Sequence, residues 1–180
     1  MGVTRVSARR RTAIVITVVI VIALLAGLAA AAWALAPIIL PQLQTSVVET
    51  TRTEEVRRDG HTASIDVPAG WSVQREGDDV PRIVVRTPDT RVAITVEIVA
   101  SAPAVAVDAS GVVGLGPLAR ESVSSGAPLV HAETADTLVA AVGGTDSSAS
   151  ARVIAAAPAD TLTTYRVEIA HLLDTVRVVS

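Results

Sequence analysis

From residue 91 to 99 the chain reads RVAITVEIV, and its side chains alternate. Val92, Ile94, Val96 and Ile98 fall on one face, while Arg91, Ala93, Thr95 and Glu97 fall on the other. This period of two predicts a strand with one buried face. Upstream, EEVRRDGHTASIDV sets Asp59-Gly60 between two extended stretches, a pairing favoured in tight hairpin turns. WSVQ and RIVVRT predict the next two strands, parted by the polar REGDDVP, and TPDT at 87–90 is a Pro-containing turn. Farther on, LVHAET, TLVAAV and ARVIAAA predict three more strands, with GGTDSSAS as a loop between the last two.

Helical patterning is scarcer. PLARESVSS predicts a short helix, and the Ala-, Gly- and Pro-rich residues 100 to 117 before it predict a loop. Near the end, Leu162, Tyr165, Ile169, Leu172 and Val176 recur at steps of three and four. That stripe predicts an amphipathic helix capped by Asp160, with Arg166, His171 and Asp174 on its solvated side.

One stretch has no polar pattern at all. Ala13 to Ala36 runs 24 residues without a charge, enough for a helix of about 36 Å, longer than the ~30 Å hydrocarbon core of a bilayer. Arg5, Arg9, Arg10 and Arg11 precede it with no acid among them, so this end is expected in the cytoplasm and the rest outside. Ala30-Ala31-Ala32 and Ala34-Leu35-Ala36 offer small-x-small cleavage sites, but the apolar run exceeds the ~7 to 15 residues of a signal sequence. An uncleaved anchor is therefore expected. Arg9-Arg10-Arg11 reads as a topological cluster rather than a twin-arginine export signal. The expected organisation is a basic cytoplasmic tail (1–12), a transmembrane helix (13–36) embedded in the lipid bilayer, a stalk (37–50) and an extracytoplasmic domain (51–180).

Composition sharpens this picture. Half the residues are hydrophobic but only 2% are aromatic, with no Phe, so the core must be filled with Val, Ala, Leu and Ile, which points to a substantial sheet. Trp71, just after Pro68-Ala69-Gly70, is one of only three aromatic side chains, and its bulk can plug such a core. There is no Cys, which removes disulfides and thiol chemistry. All 15 basic residues are Arg, so a P-loop and a lysine Schiff base are excluded. Residues 43 to 180 carry 11 Arg against 18 acidic residues, a balance of −7, which argues against a nucleic-acid partner.

IDVPAGWSV at 65–73 and the closing YRVEIAHLLDTVRVV at 165–179, set in this order of elements, resemble the PsbP-like α/β/α sandwich superfamily. The resemblance implies an α+β domain, an antiparallel sheet flanked by helices, acting as an accessory or binding module. It carries over no functional residues.

Candidate chemistry is sparse. His61, His131 and His171 lack the spacing of zinc ligands, and no Gly-x-Ser-x-Gly elbow is present. GVVGLG at 111–116 has the wrong glycine order for a dinucleotide fingerprint, and Pro117 follows it. Glu76, Asp78 and Asp79 offer oxygen ligands for calcium but without EF-hand spacing. No catalytic, cofactor-binding or metal residue is assigned. The expected function is a non-enzymatic, membrane-anchored binding or accessory module with an envelope protein as partner. The alternative is an extracytoplasmic hydrolase with a serine or carboxylate site.

Overall fold

Asp59 and Gly60 both take left-handed backbone angles, φ 51° and 83°. The chain reverses there between β2 (Arg52–Arg58) and β3 (His61–Val67). Two successive positive φ values match the right-handed twist of the strands they join, so this turn fixes the register, with Arg58 opposite His61. The computed structural model that shows this describes residues 45–76, 81–144 and 148–179.

β4 (Ser72–Glu76), β5 (Arg82–Arg86) and β6 (Ala93–Val99) form one antiparallel meander. β7 (Ala119–Ser122), β8 (Pro128–Glu133), β9 (Thr137–Gly143) and β10 (Ser150–Ala156) form a second. β10 pairs with β6 and fuses the two, while β1 (Thr45–Val47) pairs with β4 at the far edge. The result is an eight-stranded sheet in the order β1-β4-β5-β6-β10-β9-β8-β7. A second sheet, β11-β3-β2, takes its third strand from β11 (Arg177–Val179). The fold thus begins earlier than residue 51, because Thr45–Val47, expected in the stalk, is already paired in the sheet.

The main core lies between the two sheets. Val92, Ile94, Val96 and Ile98 are buried on the inner face, as their alternation requires. Val56, Ala63, Ile65 and Val67 of the small sheet belong to the same cluster. α2 (Ala159–Thr164) adds Leu162 to it, and α3 (Arg166–Thr175) adds Ile169, Leu172 and Leu173. Trp71 is 5% exposed within this cluster. Its carbonyl accepts from the Val48 N–H at 2.8 Å, and the N–H of Gly70, at φ 83°, donates to the Val48 carbonyl at 2.7 Å. The turn before β4 is thereby clamped to the chain after β1. Glu54, also buried, is satisfied by the guanidinium groups of Arg52 and Arg75.

On the opposite face, α1 (Pro103–Asp108) covers β8, β9 and β10. Ala106 and Val107 pack there with Val130, Ala132, Val139 and Ala141. The small side chains of β9 let the helix approach closely.

The α+β, helix-flanked PsbP-like sandwich is overturned. Strands hold 48% of the described residues and three short helices only 17%, which makes the domain mostly antiparallel β. Three local causes account for the difference. PLARESVSS forms β7 rather than a helix, because Val123 and Ala127 close a hairpin through Gly126 at φ 82°. The expected loop at 100–117 contains α1, started by Pro103 at its first turn. The terminal helix breaks at Tyr165 into α2 and α3, and Asp160 lies inside the first turn of α2 rather than capping it. The face expected to be sealed by helices is sealed largely by the small sheet. The membrane reading also needs correction as far as the structure extends: among the described residues no helix is long and apolar enough to cross a membrane. The run at 13–36 and the tail at 1–12 lie outside the described residues.

Candidate functional site

Where β7, β8 and β9 reach the end of the large sheet, α3 does not close completely over them. A hollow of about 380 Å³ opens between helix and sheet, within the ~300 to 1,000 Å³ range of ligand pockets. Its floor is the exposed end of the main core, made by Val123, Leu129, Leu138, Ile169 and Leu173. Polar groups stand around the mouth. Alternation along the hairpin places Glu121, His131 and Glu133 on the same face as Leu129, since Glu121 opposes Leu129 and Ala119 opposes His131.

These groups are held in place by one another. His131 Nε2 lies 3.5 Å from Glu121 Oε1. Arg166, from the first turn of α3, donates to Glu133 Oε2 at 2.8 Å. Asp174, at the far end of α3, accepts from the backbone N–H of Ser124 at 2.6 Å. The Ser124 backbone bond, then the Ser124 hydroxyl, and then the positive groups of Arg177 and His171 hold the Asp174 carboxyl below its ordinary value. Both ends of α3 are therefore tied to the β7–β8 hairpin across the hollow.

The arrangement is suited to binding. Ser122 lines the hollow through β7, but alternation turns its side chain to the face opposite Glu121 and His131. His131 is thus paired with a carboxylate, and among the described residues no hydroxyl bonds it. Glu133 is neutralised by Arg166, and Asp174 is occupied by a backbone amide. Among the described residues no group of three or more His, Cys, Asp or Glu side chains converges as a metal site.

The residues singled out from sequence are dispersed. His61 is in β3 with its Nδ1 buried and unpaired, His131 is in β8 at the hollow, and His171 is exposed on α3. Glu76 is engaged by Arg82 at 2.9 Å, while Asp78 and Asp79 lie outside the described residues. Gly111 and Gly114 both take φ 79°, in the connection between α1 and β7, as turn residues. Arg166 and Asp174, expected as plain solvated positions, form two corners of the site. Glu121 lies in a segment whose composition suits a helix but which forms β7. The Ser124-Ser125-Gly126 turn signal was the clue that could have exposed it.

A second polar cluster has a structural role. The Thr87 hydroxyl donates to Asp89 Oδ1 at 2.6 Å and accepts from the Val92 N–H at 3.1 Å. The Thr87 bond, then the Arg91 amide and the Tyr165 hydroxyl lower the Asp89 pKa, and the same contact with Asp89 raises that of Tyr165. This latches the TPDT turn onto the junction of α2 and α3.

Comparison with family models, with curated proteins and with solved structures found no match to this chain. The PsbP-like resemblance therefore rests on its two sequence segments alone.

Proposed function

We propose that the domain beginning at Thr45 is a non-enzymatic binding or accessory module. It receives an apolar group of its partner in the hollow between α3 and the β7–β8 hairpin. The observation that carries this reading is a preformed hollow with an apolar floor and a rim of charges already fixed by mutual contacts. Such a site offers burial and orientation, and the Ser124 hydroxyl at its rim is engaged by Asp174. The hydrolase alternative draws no support from it, because the side chain of Ser122, which lines the hollow, faces away from His131. The uncharged run at 13–36 behind Arg9-Arg10-Arg11 supports work on the outer side of a cell membrane, with an envelope protein as partner.

The test is a photoreactive benzoylphenylalanine placed at Ala170, an exposed residue lining the hollow, in the full chain in cells. A discrete crosslinked species is expected from Ala170 and not from Val105, which is exposed on the opposite face. Equal crosslinking at both positions, or none at Ala170, overturns the reading.

A further inference from the structure

We infer that the hollow's occupant is an extended peptide segment that adds as a ninth strand to the free edge of β7, carrying an aliphatic side chain beside a basic one. This inference rests on the binding reading above and names the class of partner.

The backbone supplies the first reason. The Val123 N–H donates to Ala127 across the hairpin at 3.0 Å. In an antiparallel ladder, inward-bonding residues alternate with outward-facing ones. Glu121 and Ala119 therefore bond toward β8, and the N–H and C=O groups of Arg120 and Ser122 point away from it. β7 is the last strand in the sheet order, and among the described residues no strand covers its outer side. The edge is short, and Arg120, Glu121 and Ser122 are all exposed. Two donors and two acceptors in a row form a template for a guest strand.

The second reason is that edge and hollow are one feature. Glu121, Ser122 and Val123 line the same hollow as Ile169, Ala170 and Leu173 of α3. A strand hydrogen-bonded to β7 runs beside the opening. Its alternate side chains then face the side on which Glu121 and Val123 stand. One aliphatic side chain on that face lies beside Val123, at the near end of the hollow.

Charge selects the sequence of the guest. Around the mouth, Glu121, Glu133 and Asp174 outnumber the permanent cations Arg166 and, beside Asp174, Arg177. Residues 43 to 180 as a whole are acidic too, at 11 Arg against 18 acids. An Arg or Lys two residues from the aliphatic anchor, on the same face of the guest strand, complements this rim, whereas an acidic peptide is repelled.

The experiment uses the full chain in detergent and a fluorescein-labelled peptide, Arg-Thr-Val-Thr-Arg-Thr-Val, whose Arg and Val share one face of the strand, followed by fluorescence anisotropy. Saturable binding with a dissociation constant below about 100 μM is expected. The peptide should slow amide exchange in residues 119–122. A probe N-methylated on the alternate residues that face β7, and one with both Arg replaced by Glu, should each bind at least about tenfold more weakly. Ser122→Pro removes an outward N–H while leaving the ladder to β8 intact, and it should weaken binding with the Tm preserved. Absence of saturable binding up to about 1 mM, or binding indifferent to N-methylation, overturns the inference. If the Ala170 crosslink forms while the peptide fails, the peptide class is wrong and the binding reading stands. If both fail, both readings fall.

Discussion

Arg152 closes on Glu97 across the β10–β6 pair, its Nε and Nη2 donating to Glu97 Oε1 at 2.9 and 2.6 Å. The same guanidinium donates to the carbonyl of Ala109 at 2.9 Å, just past α1. One side chain therefore joins two strands and pins the helix to the sheet. The pair ends a cross-strand row, Glu76, Arg82, Glu97, Arg152, in which charges alternate across four neighbouring strands. With both members about 15% exposed, removing one leaves a poorly hydrated charge. Arg152→Ala is expected to cost about 2 to 3 kcal/mol in urea denaturation. The double variant with Glu97→Ala should cost less than the sum of the two singles, because the orphaned charge is then gone.

Trp71 fills a core that otherwise contains only small and medium aliphatic side chains, and the hydrogen bonds of Gly70 and Val48 fix the backbone beneath it. Trp71→Ala should cost about 3 to 5 kcal/mol, since the surrounding strands cannot collapse into so large a space. Thermal unfolding followed by far-ultraviolet circular dichroism checks this. An unchanged Tm would free Trp71 for a binding role.

Gly143, at the end of β9, marks a close approach. A Cβ there would stand 2.9 Å from Pro128 Cγ and 3.1 Å from Pro103 Cγ. Two proline rings, from β8 and from α1, converge on the missing side chain, and neither ring can turn aside easily. Gly143→Ala is expected to destabilise by about 1 to 3 kcal/mol through overpacking. At the exposed Gly126, also glycine but with nothing near its Cβ, any cost of Gly126→Ala comes from φ 82° alone.

Legibility in the sequence followed burial. Strands with one buried face announced themselves: β6 by strict alternation, and the β2–β3 turn by Asp59-Gly60. Short elements at the rim did not. β7 has three exposed residues out of four, so no apolar pattern separated it from a helix, and α1 is six residues of mostly Ala and Val entered through a proline. The site suffered most from this, because it is built from β7 and from the two ends of α3. Its charged residues look like ordinary solvated positions until the hairpin brings them together. The fold class failed for a related reason: a stripe at helical spacing ran through Tyr165 without showing that the helix breaks there.

Acid sensitivity should concentrate at three turns. Asp174 is held below its ordinary value by the Ser124 backbone and hydroxyl, Asp89 by Thr87 and the Arg91 amide, and Asp136 by the Thr134 and Thr137 hydroxyls. A carboxyl depressed in the folded state adds stability that is full above its unfolded pKa and lost as pH falls through the folded one. Stability should therefore be flat with respect to these groups near neutrality and decline below the ordinary aspartate range. Asp174→Asn keeps an acceptor for the Ser124 amide but has no charge to titrate. It should flatten the acid limb of a pH–denaturation profile, and an unaltered limb would show that the bond is not formed in solution.

Ala170 is exposed on α3 yet lines the hollow, so a large side chain there can lie across the opening without entering the packed core. Ala170→Trp should leave stability within about 0.5 kcal/mol of the parent, as surface substitutions usually do. It should also abolish uptake of an aliphatic side chain by lying across the mouth of the hollow. Val167→Trp, on the same helix but absent from the hollow's lining, adds a similar bulk at another exposed position and should leave binding intact. Paired anisotropy titrations with the basic peptide probe compare the two variants. Equal loss in both would place the binding surface on the outer side of α3, while loss confined to Ala170→Trp locates it between the helix and the β7–β8 hairpin.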